Sequence, residues 1–511
     1  MTGFGRLTRT EWTKFRTVRG RLAAMLVAGG VILGLALSPM SGTCTRDTCG
    51  QPVGPEGEQV RDSFYFLHQP LTGDGAITAR LTSMTGLLPP EPGSASEDDE
   101  RAAIGPGGSG GMRPGLVPWA KAGLIVKDGT GQGTTYAAVM ATGGHGVRMQ
   151  HDYVHDRAGQ PGAVSDTAPR WLRLTRDGDT ITGEESTDGV IWTTVGAAEL
   201  DGLPATVRIG LFVTSPQHVE ALGAAGSASA PTVAAATFDA ITRTGAGAGP
   251  GWSGEAIGEP PGTPEQERGR HEPAGDGFVL TGSGDIAPAV AGAAGLGVSV
   301  TQTLAGTFAG LVLVVVVGTV FMTGEYRRGM IRTTLAASPR RGRMLLAKAV
   351  VVGGVTFVVG LVSAAAAVTI GRESLLDNGV YVLPVSTPTA WRMIVGTGAL
   401  LAVAAVLALG IGAMLRRSAG AITAVIVLTV LPYLLALTVL PATAGQWLLR
   451  VTPAAAFAVQ QSAKQYAQVE NLYTPAGGYF PLPWWAGFAV LCLWAGAALA
   501  GAGVLLRRRD A

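Results

Sequence analysis

Charged side chains are scarce in this sequence and make up 14% of its 511 residues, against about 25% in typical soluble domains. The scarcity is uneven, because the first 40 residues and the part after residue 300 are strongly apolar. Residues 40–300 include 16 basic and 30 acidic residues, whereas the rest of the chain includes 22 basic and 6 acidic residues. The acidic middle excludes nucleic acid as a partner, since phosphates require positive charge.

Cysteine is also rare, with three in the chain. Cys44 and Cys49 follow the first apolar segment, so an oxidising compartment would allow a disulfide between them, with two free thiols as the alternative. A zinc site needs more ligands than this pair has nearby. We therefore expect no metal.

A phosphate-binding loop of the form Gly-x-x-x-x-Gly-Lys-Ser/Thr is missing. The glycine-rich run 105–111 has no lysine and lies in no strand–helix context. We therefore expect a chain that is not an enzyme and binds no cofactor itself.

Six uncharged runs are long enough to cross a bilayer, which takes about 20 apolar residues in a helix. Pro432 predicts a kink within the fifth. The runs are 22–40, 303–323, 349–370, 393–415, 419–440 and 485–506.

The distribution of Lys and Arg predicts the orientation of these runs. If six helices alternate, the terminal segments and the loops after the second and fourth runs hold 18 basic residues, and the opposite short loops hold 4. We therefore expect both termini in the cytoplasm and residues 41–300 outside the cell. The high alanine and glycine content suggests a bacterium, and hence its plasma membrane.

Residues 1–21 predict an amphipathic helix at the inner membrane surface. Trp12, Phe15 and Leu22 recur at helical spacing between basic residues, and Thr8 with Glu11 has the pattern of a capping box. This segment is unlike the short basic region of a signal peptide. We expect the first run to remain as a membrane anchor.

From about residue 60 to 240 the pattern changes to short strands separated by turn signals such as Asp177-Gly178. Such spacing favours an all-β sandwich. Several segments resemble the concanavalin A-like lectin and glucanase superfamily, which implies an inserted jelly-roll ectodomain. They are Trp119–Asp128, Trp171–Asp179, Glu185–Gly189, Trp192, Ile209–Val213 and Phe238–Asp239.

Catalysis is not expected of this domain, because Glu184, Glu185 and Asp188 lack the alternating carboxylates of the glucanases. A polar and aromatic cluster could line a ligand surface, for instance for an extracellular glycan, or could be a solvated strand face. It comprises His145, Arg148, His151 and Tyr153. The Gly- and Pro-rich stretch at about 245–290 predicts a flexible linker.

The basic segment 324–348 follows the second run and carries several ordered pieces: Glu-Tyr-Arg-x-Gly, Thr-Thr-Leu and Ser-Pro-Arg-Arg. Ser338 suits a helix N-cap and Pro339 the first helical position. A basic loop that only fixes topology would explain the charge but not this order. The segment resembles the type-2 ABC exporter permeases of actinobacterial type. The same resemblance extends to Glu11-Trp12-x-Lys14-x-Arg16, to the layout of six runs and to Thr452–Phe457.

That resemblance implies a transmembrane permease subunit that moves a substrate outward. A separate ABC ATPase subunit would bind ATP, and a second permease copy or paralogue would complete a dimer in the lipid bilayer. The implied ATPase-coupling residues are Glu325, Tyr326, Arg327, Arg328, Gly329, Arg332, Thr333, Leu335, Ser338, Pro339 and Arg340. The alternative is a membrane-anchored glycan-binding or cell-wall sensor protein without transport activity.

Overall fold

A large β-sheet domain is inserted between helices that are long and apolar enough to cross a membrane. The structure is a computed structural model that describes residues 3–38, 40, 42, 50–90, 112–222, 226–247, 251–259, 263, 267–292, 297–327, 329, 341–438, 440 and 442–508.

Six spans of suitable length and hydropathy occur among the described residues, as a multi-pass membrane protein requires. Their positions confirm the six apolar runs of the sequence. The helices are α1 Gly3–Thr17, α2 Arg19–Ala36, α3 Thr307–Arg327, α4 Arg341–Asp377, α5 Thr387–Leu415, α6 Ser418–Thr429, α7 Leu431–Thr438, α8 Ala442–Val451 and α9 Trp484–Arg508. Short 3-10 helices are η1 Val300–Leu304, η2 Pro453–Gln460 and η3 Pro475–Gly477.

The fifth span is broken, as Pro432 predicts. Helix α6 ends at Thr429 and α7 begins at Leu431, so the interruption is at Val430, two residues before the proline. Proline has no amide hydrogen, and its ring disturbs the preceding turn of a helix.

Eighteen strands were found in the described part of the chain. They are β1 Val60–Asp62, β2 Phe64–Leu88, β3 Arg113–Pro114, β4 Lys121–Lys127, β5 Tyr136–Thr142, β6 Val147–His151, β7 His155–Ala158, β8 Arg170–Asp177, β9 Thr180–Ser186, β10 Thr193–Glu199, β11 Thr206–Thr214, β12 His218–Leu222, β13 Gly226–Ala230, β14 Val233–Ala246, β15 Ser253–Ile257, β16 Arg270–Ala274, β17 Gly277–Gly282 and β18 Ile286–Pro288.

Strand β2 organises the domain because its 25 residues pair with several neighbours. Its first part pairs with β11 and β15, and its second part with β8 and β14, all antiparallel. The order β10-β9-β8-β2-β11-β4-β5-β6-β7 then curls the sheet round an apolar core. The β8–β9 hairpin turns at Gly178, whose φ of 61° suits a residue without a side chain.

The prediction of a flexible linker at about 245–290 is wrong for those residues of this range that the structure describes, because they form strands β15 to β18. Strand β15 pairs with β2, β17 with β14, and β18 with β1. Ile257, Leu280 and Ile286 bury their side chains. Local Gly and Pro content suggested a linker, whereas the strands are stabilised by partners far away in the sequence.

Two buried ion pairs fix the place where the chain enters and leaves the β domain. Strands β1 and β18 form a short ribbon. Lys127 Nζ lies 2.8 Å from Asp62 Oδ2 of β1, and Lys121 Nζ lies 2.7 Å from Asp285 Oδ1 next to β18. Both lysines belong to β4, so the ribbon is held against that strand at two points.

The β domain contacts the loops that join the spans. Lys464 Nζ lies 2.9 Å from Glu58 Oε1. The Gln468 amide donates to the carbonyl of Val154 at 3.1 Å, and the Asn471 amide to that of Ala291 at 3.1 Å. These contacts of the β domain are therefore made mainly with the segment between α8 and α9.

Candidate functional site

Four ionisable side chains meet where α1, the end of α3 and the beginning of α4 come together. Lys348 Nζ lies 2.6 Å from Glu11 Oε2 and 2.7 Å from Glu325 Oε1. Lys14 Nζ lies 3.0 Å from Glu11 Oε1 and 3.2 Å from the same oxygen of Glu325. We call Glu11, Lys14, Glu325 and Lys348 the ionic cluster.

Three of the four side chains of the ionic cluster are buried. Lys348 is fully buried, Glu11 and Glu325 nearly so, and the Lys14 side chain is 35% exposed. Burial works against the charged form of Lys14, but hydrogen bonds and charge from Glu11 and Glu325 outweigh it and raise the pKa of Lys14. Two positive and two negative groups balance, which is the condition under which charges persist in an apolar interior.

An aromatic side chain completes the contact between these helices. The Phe321 ring of α3 meets Phe15 of α1 edge to face, with ring centroids 5.4 Å apart. Lys348 Nζ lies 4.6 Å from the Phe321 centroid, and the Arg21 guanidinium lies 4.9 Å from it. Cations over an aromatic face are attracted to its ring electrons, so Phe321 adds to the attachment of α1.

The backbone between α1 and α2 turns the first helix toward this site. Val18 is extended, with φ −89° and ψ 93°. Arg21 donates from its guanidinium to the carbonyl of Lys14 at 3.2 Å. The break separates an amphipathic helix from the first span, so the buried face of α1 can lie against α3 and α4.

The capping box predicted from Thr8 and Glu11 is wrong. Helix α1 already begins at Gly3, and the Thr8 hydroxyl donates to the carbonyl of Phe4, as threonine often does inside a helix. Glu11 pairs with Lys348, 337 residues away in the sequence. A single glutamate in a basic segment, three residues before Lys14, was the only sequence signal of this role.

The predicted ATPase-coupling residues are only partly within the described residues. Glu325 belongs to the ionic cluster, Arg327 is the exposed last residue of α3, and Gly329 has a left-handed φ of 68°. The Tyr326 ring lies 5.1 Å below the Arg416 guanidinium at the end of α5. Arg328, Arg332, Thr333, Leu335, Ser338, Pro339 and Arg340 lie outside the described residues.

The four residues predicted to line a ligand surface are not all brought together in one place. His145 stacks on Trp119 with centroids 4.1 Å apart, and Arg148 pairs with Asp156. Tyr153 is fully buried, and its hydroxyl donates to Asp62 Oδ2 at 2.7 Å. The prediction is therefore wrong for Tyr153.

His151, on the same strand as Arg148, lies next to His155, with ring centroids 4.2 Å apart. Burial, with a smaller effect of His155, lowers the pKa of His151 to about 4 from 6.5. Cys44 and Cys49 lie outside the described residues, so the predicted disulfide stays a prediction.

Comparison with known proteins identifies no family. No family model matches the chain, and no curated protein matches it. A functionally unknown protein from Saccharomyces cerevisiae aligns at 16% identity over 38% of this chain and 81% of that one, with a TM-score of 0.23. A scytalido-glutamic peptidase bound to a transition-state analogue inhibitor aligns at 11% identity over 43% and 98%, with a TM-score of 0.25. At such TM-scores the likenesses support no conclusion about this chain.

Proposed function

We propose that the chain is the membrane-spanning permease subunit of an ABC-type exporter. It would move a substrate outward with energy from ATP hydrolysis on a separate ATPase subunit. The observation that carries the proposal is the ionic cluster. It joins the interfacial helix α1 to Glu325 and Lys348, at the two ends of the segment 324–348, which resembles the coupling region of type-2 ABC exporter permeases.

Mechanically, the ionic cluster would make α1, α3 and α4 move together. A displacement of the segment between Arg327 and Arg341 by the ATPase subunit would be transmitted to α3 through Glu325 and to α4 through Lys348. Lys348 of α4 lies within 2.7 Å of Glu11 of α1 and Glu325 of α3. If one of these three helices moved alone, a buried charge would lose its partner in apolar surroundings. Such a shift is costly.

In this proposal both termini are cytoplasmic, in a bacterial plasma membrane, and the β domain is extracellular. That domain would be a concanavalin A-like jelly roll seated on the outer loops. Two permease subunits would pair with two ATPase subunits. The basic residues near the ends of α1, α3, α5 and α9 support this orientation.

The proposal is tested by isolating the full chain from native membranes and identifying the proteins bound to it by mass spectrometry. We expect an ATPase subunit with a phosphate-binding loop in near-equal amount. A membrane-anchored sensor would be recovered without such a partner. That result would overturn the proposal.

A further inference from the structure

Helix α1 has a second face, opposite the ionic cluster, on which arginines flank an exposed tryptophan. Arg9, Trp12 and Arg16 follow one another at i, i+3 and i+7 and therefore share one side of the helix. Trp12 is 42% exposed, and both arginines are exposed. With exposed Arg6 of α1 and exposed Arg19, the first residue of α2, these residues are called the basic face.

Among the residues that the structure describes, no acidic side chain forms an ion pair with the basic face. The only acidic residue of α1 is Glu11, which is buried against Lys348. Within the described part of the chain, the arginines of the basic face have no acidic partner. The basic face therefore presents positive charge to which an anionic ligand could bind.

The surroundings of the basic face indicate where that charge lies. Arg19 begins α2, and the exposed Leu22 and Leu26 follow it on the same side of that helix; Leu26 is 73% exposed. The surface thus passes from arginine to exposed leucine as α2 enters its apolar span. This arrangement is typical of a membrane interface, where arginine and tryptophan lie at the level of the headgroups and leucine lies deeper in the bilayer.

We infer that the basic face binds the headgroups of anionic phospholipids, with Trp12 inserted among them. Arginine forms paired hydrogen bonds with phosphate oxygens, and basic side chains near a bilayer attract anionic lipid. The lipid would hold α1 from one side while Lys348 holds it from the other. This inference does not depend on transport activity.

The test uses the full chain in nanodiscs of phosphatidylcholine that contain either brominated phosphatidylglycerol or brominated phosphatidylcholine. Bromine quenches nearby tryptophan, and subtracting the signal of Trp12→Phe isolates Trp12 from the other tryptophans. We expect stronger quenching of Trp12 by the anionic lipid. Each arginine should contribute about fivefold to the local enrichment, so Arg9→Gln with Arg16→Gln should reduce the preference about 25-fold.

The matched control is Arg507→Gln with Arg508→Gln, which removes two exposed arginines from the end of α9 and should keep the preference. Added inorganic phosphate should not reduce it, because the headgroup is held in the bilayer. Equal quenching of wild-type Trp12 by both lipids would overturn the inference, as would loss of the preference in the control. If the Arg9 and Arg16 variant keeps its lipid preference but loses the ATPase subunit, the basic face is a protein-docking surface and the inference is wrong. The lipid measurement needs no ATPase, so its failure is distinct from failure of the proposed function.

Discussion

Lys348 is the fully buried cation of the ionic cluster, and it contacts both buried carboxylates. Substituting Lys348→Met leaves Glu11 and Glu325 without their shortest partner. We expect a loss of about 3–5 kcal/mol in the free energy of unfolding, the usual cost of an uncompensated buried charge. Thermal unfolding of the full chain in nanodiscs measures it.

Lys14→Met is the matched control, because this lysine contacts the same carboxylates but is 35% exposed. A partly exposed pair contributes less than about 1 kcal/mol, so the unfolding temperature should fall much less. Equal losses in the two variants would show that burial of Lys348 is not what makes the cluster matter.

His151 gives the β domain a predicted pH dependence. Because the pKa of His151 is about 4 in the folded domain and 6.5 ordinarily, the unfolded chain takes up a proton first on acidification. Its contribution to stability is complete above pH 6.5 and is lost as the pH falls toward 4. Calorimetry of the full chain in nanodiscs should show a β-domain transition that falls between pH 7 and 5, and falls less in His151→Gln. Identical slopes would contradict the assignment.

At the scale of elements, helix α9 packs against η2 through a glycine. A Cβ at Gly487 would lie 2.2 Å from the carbonyl oxygen of Ala455, whereas one at Gly496 on the same helix would meet nothing within 4 Å. We expect Gly487→Ala to lower stability by about 1–3 kcal/mol through overpacking, and Gly496→Ala to leave it unchanged or slightly higher. Thermal unfolding of the two variants compares them directly, and a similar loss in both would show that the α9–η2 contact is not tight.

Elements were predicted from the sequence where their signal was local. The six apolar runs, the break at Pro432 and the β8–β9 turn at Gly178 depend on residues close together in the chain. Strands β15 to β18 were missed because their partners in β1, β2 and β14 are distant and their own composition is rich in Gly and Pro. Hydrophobic length is thus a strong signal, and strand pairing is a weak one.

The candidate site was predicted only in part for the same reason. Glu325 was singled out through its neighbours in the chain, but Glu11 matched a local capping pattern. Lys348 looked like one more basic residue beside a span. Tyr153 was placed on a surface because no sequence pattern indicates that its hydroxyl reaches Asp62, 91 residues away.

At the scale of the whole molecule, the ionic cluster and the β domain lie at opposite ends of the spans. The cluster joins α1, α3 and α4, while the β domain rests on the segment between α8 and α9. In the proposed exporter, energy would therefore enter at the cluster, and any specificity contributed by the β domain would act across the membrane from it.

The most direct measurement is hydrogen exchange on the full chain bound to its ATPase subunit, with and without a non-hydrolysable ATP analogue. We expect the analogue to change amide exchange in α1 and in the first turns of α4. Glu325→Gln should abolish this change while the ATPase subunit stays bound, and Lys14→Met should preserve it. A nucleotide-dependent change of the same size in Glu325→Gln would show that the ionic cluster does not couple α1 to the ATPase subunit.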